Sequence, residues 1–345
     1  MKVNFASNIV CPISGNFQAK TVCTLKNRAD FEKTADLSSI DCLKSYSCIN
    51  FRAAKSSQLP VNIIRKKEVP DGWVGVYNKN ELKSKLSENK NVILMNDIKF
   101  EEDECWQPIG SEENPFKGKL DGNGHKISNL SIHKEKAYCV GFFGSTDNAE
   151  IKNLIFEKVN IDTINSTNVG AIAGRIDNNS QITNCNVSGN ICGYSVIGGI
   201  CGGNRYFSSV KNCIVNAEVS GIETVGGICA ENFANSLIKN CEINGKVYGD
   251  MEIGGIAGVN IMDSTIKNCS SNCKINGSKM VGGLAAVNTH HSKIENCKTS
   301  YEHNSPKRET GTFVGENSAD SIVQYNAAVS NNTKIEYTQL IGRQL

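Results

Sequence analysis

A repeat of 28 residues is the feature that most constrains how this sequence can fold. The dipeptide Asn-Cys recurs at this spacing as Asn184-Cys185, Asn212-Cys213, Asn240-Cys241, Asn268-Cys269 and Asn296-Cys297. Two further features keep the same period, a Gly-Gly pair that begins at 198, 226, 254 and 282 and an asparagine at 204, 232, 260 and 288. A fixed period of roughly 20–50 residues is typical of repeat architectures, in which each unit buries its apolar face against its neighbours.

Within one repeat, the apolar residues can share an interior only if the chain bends. In a straight strand Ile238 and Cys241 would face opposite sides, because side chains alternate. Asn240 tolerates the left-handed backbone that a bend needs, and its amide can bond to the same amide one repeat away. We therefore predict that the asparagines and cysteines of the five Asn-Cys pairs form structural ladders, and that Gly245 and Gly249 mark further corners.

Short strands, bends and the absence of a helical pattern within 28 residues predict one coil of a parallel β-helix. Successive coils would stack about 4.8 Å apart. A leucine-rich horseshoe has a similar period, but it needs an L-x-x-L-x-L-x-x-N pattern that the Gly-rich, β-branched segments do not provide. The prediction is an all-β, right-handed parallel β-helix (solenoid) over residues 101–345, most regular over 169–300, with the hand taken from the rule for parallel crossovers.

Residues 69–100 predict an N-terminal cap made of a short helix and a strand. The helical pattern covers 79–88, and Asn78 with Glu81 has the spacing of a capping box. Such an element would cover the open apolar end of the stack. Trp73 and Trp106 flank this region, and we expect them in the core of the cap; the alternative is that their rings are platforms for sugars.

Residues 1–68 carry 11 Lys/Arg against 5 Asp/Glu and no sustained period. This is typical of a basic, weakly ordered segment and linker. The whole chain has a net charge of only +2, which gives no reason to expect a nucleic-acid partner. The N-terminus lacks an apolar signal-peptide core, and no run is long enough to predict a membrane-spanning segment.

The cysteines predict free, buried thiols. Fifteen is an odd number, so the chain cannot pair them all internally. Cys269 and Cys273 have no matching second pair, and no zinc site is expected. Free cysteines favour a reducing compartment.

The segments "VGGICAEN", "IGGIAGVN" and "VGGLAAVN", together with "IKNC", resemble the GLUG-motif repeat proteins. The lead-in "WQPIG…PFKGKLDGNGHKISNLSI…VGFFG…IKNLIF" shares the resemblance, which covers roughly residues 70–325. GLUG motifs occur in filamentous-haemagglutinin-like bacterial adhesins and in the non-catalytic repeat region of immunoglobulin A peptidases. The resemblance implies a β-helix at the cell surface or secreted, which conflicts with the missing signal peptide and leaves the localisation open. The motif is structural and carries no catalytic residue.

The candidates for chemistry are few. Asp121 and His125 in "LDGNGHKI" could act as an acid and a base, although the same pattern suits a tight turn before a strand. The acidic run 101–104 is most simply a solvated loop. His290 and His291 occupy a variable turn, and no H-E-x-x-H peptidase motif occurs.

These observations favour a non-enzymatic binding or structural scaffold, adhesin-like, that presents a repetitive surface to a protein or glycan ligand. The alternative is a carbohydrate-active β-helix enzyme, a polysaccharide lyase or hydrolase that uses Asp121 and neighbouring carboxylates. No cofactor and no metal is expected, and the oligomeric state is left open.

Overall fold

A computed structural model of the chain describes residues 63–300 and 310–330, together with the backbone of two further strands at 333–336 and 341–344. In this part of the chain the strands form four long sheets, A to D, whose neighbouring strands come from successive coils. Almost all pairings are parallel, and each full coil visits sheets A, B, D and C in that order. The predicted all-β solenoid of 28-residue coils is confirmed.

The four sheets have the following strands. Sheet A contains Val74–Val76, Asn91–Leu94, Lys119–Asp121, Glu150–Lys152, Gln181–Thr183, Ser209–Lys211, Leu237–Lys239, Thr265–Lys267, Lys293–Glu295 and Ile322–Gln324. Sheet B contains Ile98–Lys99, Lys126–Ser128, Ser131–Glu135, Ile155–Ile164, Asn186–Cys192, Ile214–Ser220, Glu242–Tyr248, Ser270–Asn276, Lys298–Ser300, Ala327–Ser330 and Thr333–Glu336. Sheet C contains Phe143–Asp147, Ala173–Asp177, Cys201–Arg205, Cys229–Phe233, Ala257–Ile261, Ala285–Thr289, Val314–Asn317 and Ile341–Gln344. Sheet D contains Thr167–Gly170, Ser195–Gly198, Thr224–Gly226, Glu252–Gly254, Met280–Gly282 and Thr310–Gly311.

The interior is a set of apolar rows that run along the stack. Each repeat contributes the same positions, so residues 28 apart lie directly above one another. The row of Ile228, Ile256 and Leu284 is fully buried, and consecutive members are joined by backbone hydrogen bonds of 3.0 and 2.8 Å. Ile238 and Cys241 are both buried, as the bend between them requires.

The bends between sheets A and B occur at the asparagines of the Asn-Cys pairs. All five have left-handed backbone angles, with φ between 52° and 56°, which confirms the predicted bend. The prediction of a corner at Gly245 is wrong, because this residue lies inside the strand Glu242–Tyr248. Its φ of 146° and an approach of 2.1 Å between a Cβ built there and the carbonyl oxygen of Ala217 explain why glycine is needed.

The N-terminal cap contains the only helix among the described residues, Lys79–Ser87, one residue shorter than predicted. The Asn78 side chain accepts hydrogen bonds from the backbone amides of Asn80 and Glu81, at 3.1 and 3.0 Å. On its inner face, Leu82 and Leu86 are fully buried. The helix is therefore held at its start by its cap and along its length by apolar packing.

The two tryptophans differ in burial. Trp106 is 4% exposed, stacks on Phe142 with ring centroids 4.7 Å apart and donates its indole N–H to the Phe142 carbonyl. Trp73 is only partly buried, with the Nζ atoms of Lys66 and Lys152 at 5.9 and 5.8 Å from its ring centroid. Trp106 confirms the predicted core position, whereas Trp73 lies at the edge of the cap.

The repeat loosens towards the C-terminal end. The step from Asn288 to its stacked partner Asn317 is 29 residues. The strand Thr333–Glu336 then pairs antiparallel with Ala327–Ser330, which ends the all-parallel pattern of sheet B. Residues 1–62 of the predicted basic segment, which spans 1–68, lie outside the described residues.

The first glycine of each Gly-Gly pair lies where two backbone segments almost touch. A Cβ built on Gly254 would lie 1.7 Å from the Ala257 carbonyl oxygen, whereas one built on Gly203 meets only side chains, with Arg205 Nε at 2.9 Å and Arg175 Cγ at 3.2 Å. We expect Gly254→Ala to lower the free energy of unfolding by about 3 kcal/mol, because backbone atoms must shift. The control Gly203→Ala should change it by about 0.5 kcal/mol or less. Urea denaturation followed by far-UV circular dichroism measures both, and equal effects would contradict the steric explanation.

Candidate binding surface

The turn that contains Asp121 is built into the fold. The side chain is 2% exposed, and its Oδ1 accepts hydrogen bonds from the Asn123 amide and the Asn153 side chain, both at 2.9 Å. Its Oδ2 lies 3.3 Å from Lys66 Nζ. Asn184 donates in turn to Asn153 at 2.8 Å. Asp121 is thus the terminal acceptor of a ladder of side-chain amides.

The same turn holds the segment that precedes the cap. Asn123 accepts the backbone N–H of Lys66 at 2.7 Å and donates to the Lys66 carbonyl at 3.1 Å. Arg65 donates to the Gly124 carbonyl at 2.8 Å. The Asn123 amide therefore bonds to both backbone groups of Lys66, as a neighbouring strand would do in a sheet. Residues 65–66 therefore lie across the turn where the sequence suggested a catalytic candidate.

His125 is 8% exposed, and its Nδ1 lies 2.8 Å from Oδ1 of Asp97. Asp97 also accepts the Lys126 amide at 3.1 Å. Burial alone would raise the pKa of Asp97, but the hydrogen bonds from Lys126 and His125 and the nearby charge of Arg65 together lower it below the ordinary value. The two sequence candidates, Asp121 and His125, thus have separate partners, and both positions are occupied by local contacts.

The acidic run ends in a contact with the cap. Glu104 pairs with Lys79 at the start of the helix, with Nζ and Oε2 2.5 Å apart. The hydrogen bond from Lys79 lowers the pKa of Glu104 below its ordinary value. Glu101, Glu102 and Asp103 are exposed, as expected of a solvated loop.

The predicted asparagine ladder is present at the bends between sheets A and B. Asn240 donates its side-chain amide to Asn212 at 2.9 Å, and Asn268 donates to Asn240 at 3.2 Å. This ladder is solvent-facing, since Asn240 and Asn268 are exposed. Asn296 has the same left-handed backbone one coil further on.

A second, buried ladder runs beside the turns between sheets C and A. Four consecutive side-chain hydrogen bonds, each 2.7 Å long, join Asn204, Asn232, Asn260, Asn288 and Asn317. The members from Asn204 to Asn288 are fully buried. The sequence showed their 28-residue spacing, but it did not distinguish this ladder from the exposed one.

From Asn232 onward, the buried asparagines also close the turns that follow them. Asn232 donates to the carbonyl of Ser236 at 3.3 Å, and Asn260 donates to that of Ser264 at the same distance. The Ser236 amide donates to the Ser264 hydroxyl of the next coil, at 3.1 Å. The backbone of the turns after Asn232, Asn260 and Asn288 is therefore held by buried side chains on both sides of the tip.

We call the stacked tips of these turns the turn ridge, which comprises residues 178–179, 206–207, 234–235, 262–263 and 290–291. All ten residues have left-handed backbone angles, with φ between 52° and 66°. This conformation costs non-glycine residues about 1–2 kcal/mol, and asparagine and aspartate tolerate it best. Tyr206, Phe207 and Met262 nevertheless occupy it, with exposures of 45, 63 and 42%.

His290 and His291 belong to the turn ridge, where the sequence placed them in a variable turn. His291 Nδ1 lies 3.6 Å from Oδ2 of Asp320, and His290 contacts the Thr289 hydroxyl at 2.9 Å. Within the described residues, no group of three or more His, Cys, Asp or Glu side chains has an arrangement that could hold a metal ion.

The cysteines of the Asn-Cys pairs form an interior row. Cys185, Cys213, Cys241, Cys269 and Cys297 are buried and free. The Cys241 and Cys269 amides donate to the sulfur atoms of Cys269 and Cys297, at 3.5 and 3.4 Å. Burial raises the pKa of the Cys241 and Cys269 thiols well above the ordinary value.

We expect this row to resist alkylation in the native protein. The thiolate is the reactive form, and the raised pKa values together with burial keep its concentration and accessibility low. Among the cysteines of the described residues, iodoacetamide at pH 8 followed by peptide mass mapping should modify the exposed Cys105 first and the row only after denaturation. Cys105→Ser is the control that removes this fast site from the described part of the chain. Modification of Cys241 as fast as Cys105 would contradict the buried row.

The fold and its side-chain ladders define a β-solenoid repeat protein. Among the described residues, no helix has the length and apolar character needed to cross a bilayer.

Comparison with known proteins supports the predicted resemblance. The family described as the M26 IgA1-specific metallo-endopeptidase N-terminal region matches residues 112–189. A crystal structure of a candidate immunoglobulin A1 protease from Bacteroides ovatus is similar over 79% of this chain and 83% of that chain, with 18% identity and a TM-score of 0.45. The resemblance to the repeat region of immunoglobulin A peptidases is confirmed by the family match.

Two curated proteins share shorter segments. Halomucin of Haloquadratum walsbyi is 35% identical over 101 residues, which is 28% of this chain and 1% of halomucin. A candidate Gly-rich membrane protein of Evansella cellulosilytica is 31% identical over 84 residues, which is 24% of this chain and 9% of that protein. The chain thus spans only a small part of the length of these relatives.

Proposed function

We propose that this chain is a non-enzymatic scaffold that presents a repetitive solenoid surface to a ligand, in the manner of an adhesin. The observation that carries the proposal is the structural use of the candidate acid. Asp121 is 2% exposed and ends an amide ladder, so its carboxylate oxygens face protein donors. A catalytic acid or base must instead reach the proton it transfers on a bound substrate.

The titratable groups elsewhere on the described surface support the same proposal. Many of them form ion pairs within a coil or between neighbouring coils. Examples are Lys246 with Glu218 and Lys267 with Glu295, each with 3.3 Å between Nζ and Oε2. These pairs satisfy charges on neighbouring strands and stabilise the stack. The match to the peptidase N-terminal region concerns residues 112–189, which contain part of the solenoid.

The test separates the acid function of Asp121 from its structural function. Asp121→Asn removes the titratable acid and keeps the side-chain oxygen that accepts from Asn153 and Asn123. The wild-type chain and this variant are incubated with neutral and acidic polysaccharides, and new reducing ends and unsaturated products are measured. We expect no cleavage by either protein and only a slightly lower melting temperature in the variant, which loses the ion pair between Asp121 Oδ2 and the half-exposed Lys66. Cleavage by the wild type that Asp121→Asn abolishes would establish the carbohydrate-active alternative instead.

A further inference from the structure

We infer that the turn ridge binds an extended, uncharged glycan chain. This inference rests on the proposed scaffold function and names the ligand class of one surface. The ridge combines two independent features, which are exposed aromatic rings and a backbone conformation that such residues rarely adopt.

The solenoid does not need aromatic residues at the ridge. The equivalent turn one coil earlier carries Asn178 and Asn179 in the same conformation, and both are exposed. Backbone hydrogen bonds between coils hold both tips, from Asn179 to the Tyr206 carbonyl and from Phe207 to the Ala234 carbonyl, each at 3.1 Å, so the tip side chains can vary without loss of the fold. Tyr206 and Phe207 therefore stand in unfavourable, exposed positions that asparagine fills in the neighbouring coil. Strained and exposed residues of this kind are typical of recognition sites.

The aromatic residues offer the apolar half of a sugar site. The exposed Tyr206 and Phe207 rings can lie against the C–H faces of pyranose rings, because the negative face of an aromatic ring attracts polarised hydrogens. Tyr206 is oriented by an edge contact with Phe233, with ring centroids 5.6 Å apart and planes at 87°. Ile261 stacks in register with Phe233 and extends this apolar surface by one coil.

The remaining tips supply the polar half. Asn179, Asn235, Asp263 and His291 are exposed and carry amide, carboxylate and imidazole groups, which donate to and accept from hydroxyl groups. None of the ten ridge residues is a lysine or arginine. A site for an anionic polymer would need those cations, so the ridge fits an uncharged glycan better.

The geometry favours a chain-like ligand. Neighbouring tips are one strand spacing apart, about 4.8 Å, and this is close to the length of one sugar unit in an extended β-linked glycan. Backbone hydrogen bonds fix this spacing, for example from Asn179 to the Tyr206 carbonyl at 3.1 Å and from Asn235 to the Met262 carbonyl at 2.8 Å. The ridge is two residues wide, whereas a stable protein interface buries about 800 Å² on each partner. A narrow, regular strip suits a polysaccharide chain.

The test uses the full chain and a variant that should fold at least as well. Tyr206→Asn with Phe207→Asn gives this coil the residues of the Asn178–Asn179 tip, so weaker binding cannot be assigned to unfolding if thermal stability is kept. Tyr77→Asn replaces an exposed tyrosine beside the capping helix, outside the ridge, and is the matched control. Native electrophoresis in gels that contain hydroxyethylcellulose, xyloglucan, glucomannan or polygalacturonate measures affinity as retardation.

We expect at least one of the three neutral polysaccharides to retard the wild type and Tyr77→Asn equally. The double variant should bind that polysaccharide at least tenfold more weakly, with an unchanged or higher melting temperature. Lack of retardation by all three neutral polysaccharides, retardation by polygalacturonate alone, or equal binding by the double variant would each overturn the inference. Specific binding of a protein without any glycan binding would overturn the ligand class and leave the scaffold proposal standing. Cleavage of a polysaccharide would overturn the scaffold proposal itself.

Discussion

Replacing Ile256 by aspartate should unfold the central coils, with a loss of about 5 kcal/mol or more in the free energy of unfolding. Ile256 is fully buried between Ile228 and Leu284 of the neighbouring coils, and both of these are also fully buried. An ionised carboxylate there would lose its hydration and gain no cation, and a protonated one would leave polar atoms among apolar side chains. Each coil is stabilised only by its neighbours, so the damage should spread along the stack.

The control for this prediction is Ile256→Val, which removes one methylene group from the same site. Its expected cost is about 1 kcal/mol. Urea denaturation followed by far-UV circular dichroism measures both variants, and the aspartate variant is expected to lose its β-sheet signal in buffer. An Ile256→Asp protein as stable as Ile256→Val would show that this row is not part of a dry interior.

The second large effect is expected at the buried asparagine ladder. Asn260 donates to Asn288 and accepts from Asn232, both at 2.7 Å, and it also donates to the carbonyls of Ser264 and Lys293. Asn260→Ala removes these bonds at a fully buried position and leaves the amide oxygen of Asn288 without this donor. Because a buried polar group without its partner costs about 1–3 kcal/mol, we expect a total loss of about 4 kcal/mol.

Asn272→Ala is the matched control, because Asn272 is the exposed last member of a row of asparagines on sheet B. It donates to Asn244 at 3.2 Å and to Glu242 at 3.1 Å, where water can replace these bonds. The expected loss is below about 1 kcal/mol. Urea denaturation of both variants tests the difference. Similar losses would mean that burial does not set the strength of a ladder in this protein.

The two asparagine ladders at the coil corners differ in function as well as in burial. The ladder of Asn212, Asn240 and Asn268 faces solvent at the corner between sheets A and B, where the left-handed asparagine makes the bend. The ladder from Asn204 to Asn317 lies inside, and its members Asn232, Asn260 and Asn288 close turns of the ridge. A fixed framework behind variable tips gives the protein a surface whose side chains can change without loss of the fold.

The sequence by itself determined the solenoid, its period and its interior. A 28-residue spacing places equivalent residues of successive coils beside one another, so one repeat predicts the contacts of the next. The bend at Asn240 and the burial of Cys241 followed from the alternation of side chains along a strand. The one-residue slip after Asn288 was also visible, because the Gly and Asn positions move together.

Only the tertiary structure decided the contacts that do not follow the period. Lys66 and Asn123 form a hydrogen bond although they are 57 residues apart in sequence, and Lys79 pairs with Glu104, which is 25 residues away. Neither separation is the repeat length, so the repeat pattern does not predict these pairs. The sequence left Asp121 open as a candidate acid, because two of the side chains that bind its carboxylate, Lys66 and Asn153, come from distant parts of the chain. The aromatic tip was also missed, since Tyr206 and Phe207 occupy a turn that is held by backbone hydrogen bonds to the next coil, at Phe233 and Ala234. A period fixes which backbones stack, but the direction and exposure of each side chain depend on atoms that fold against it.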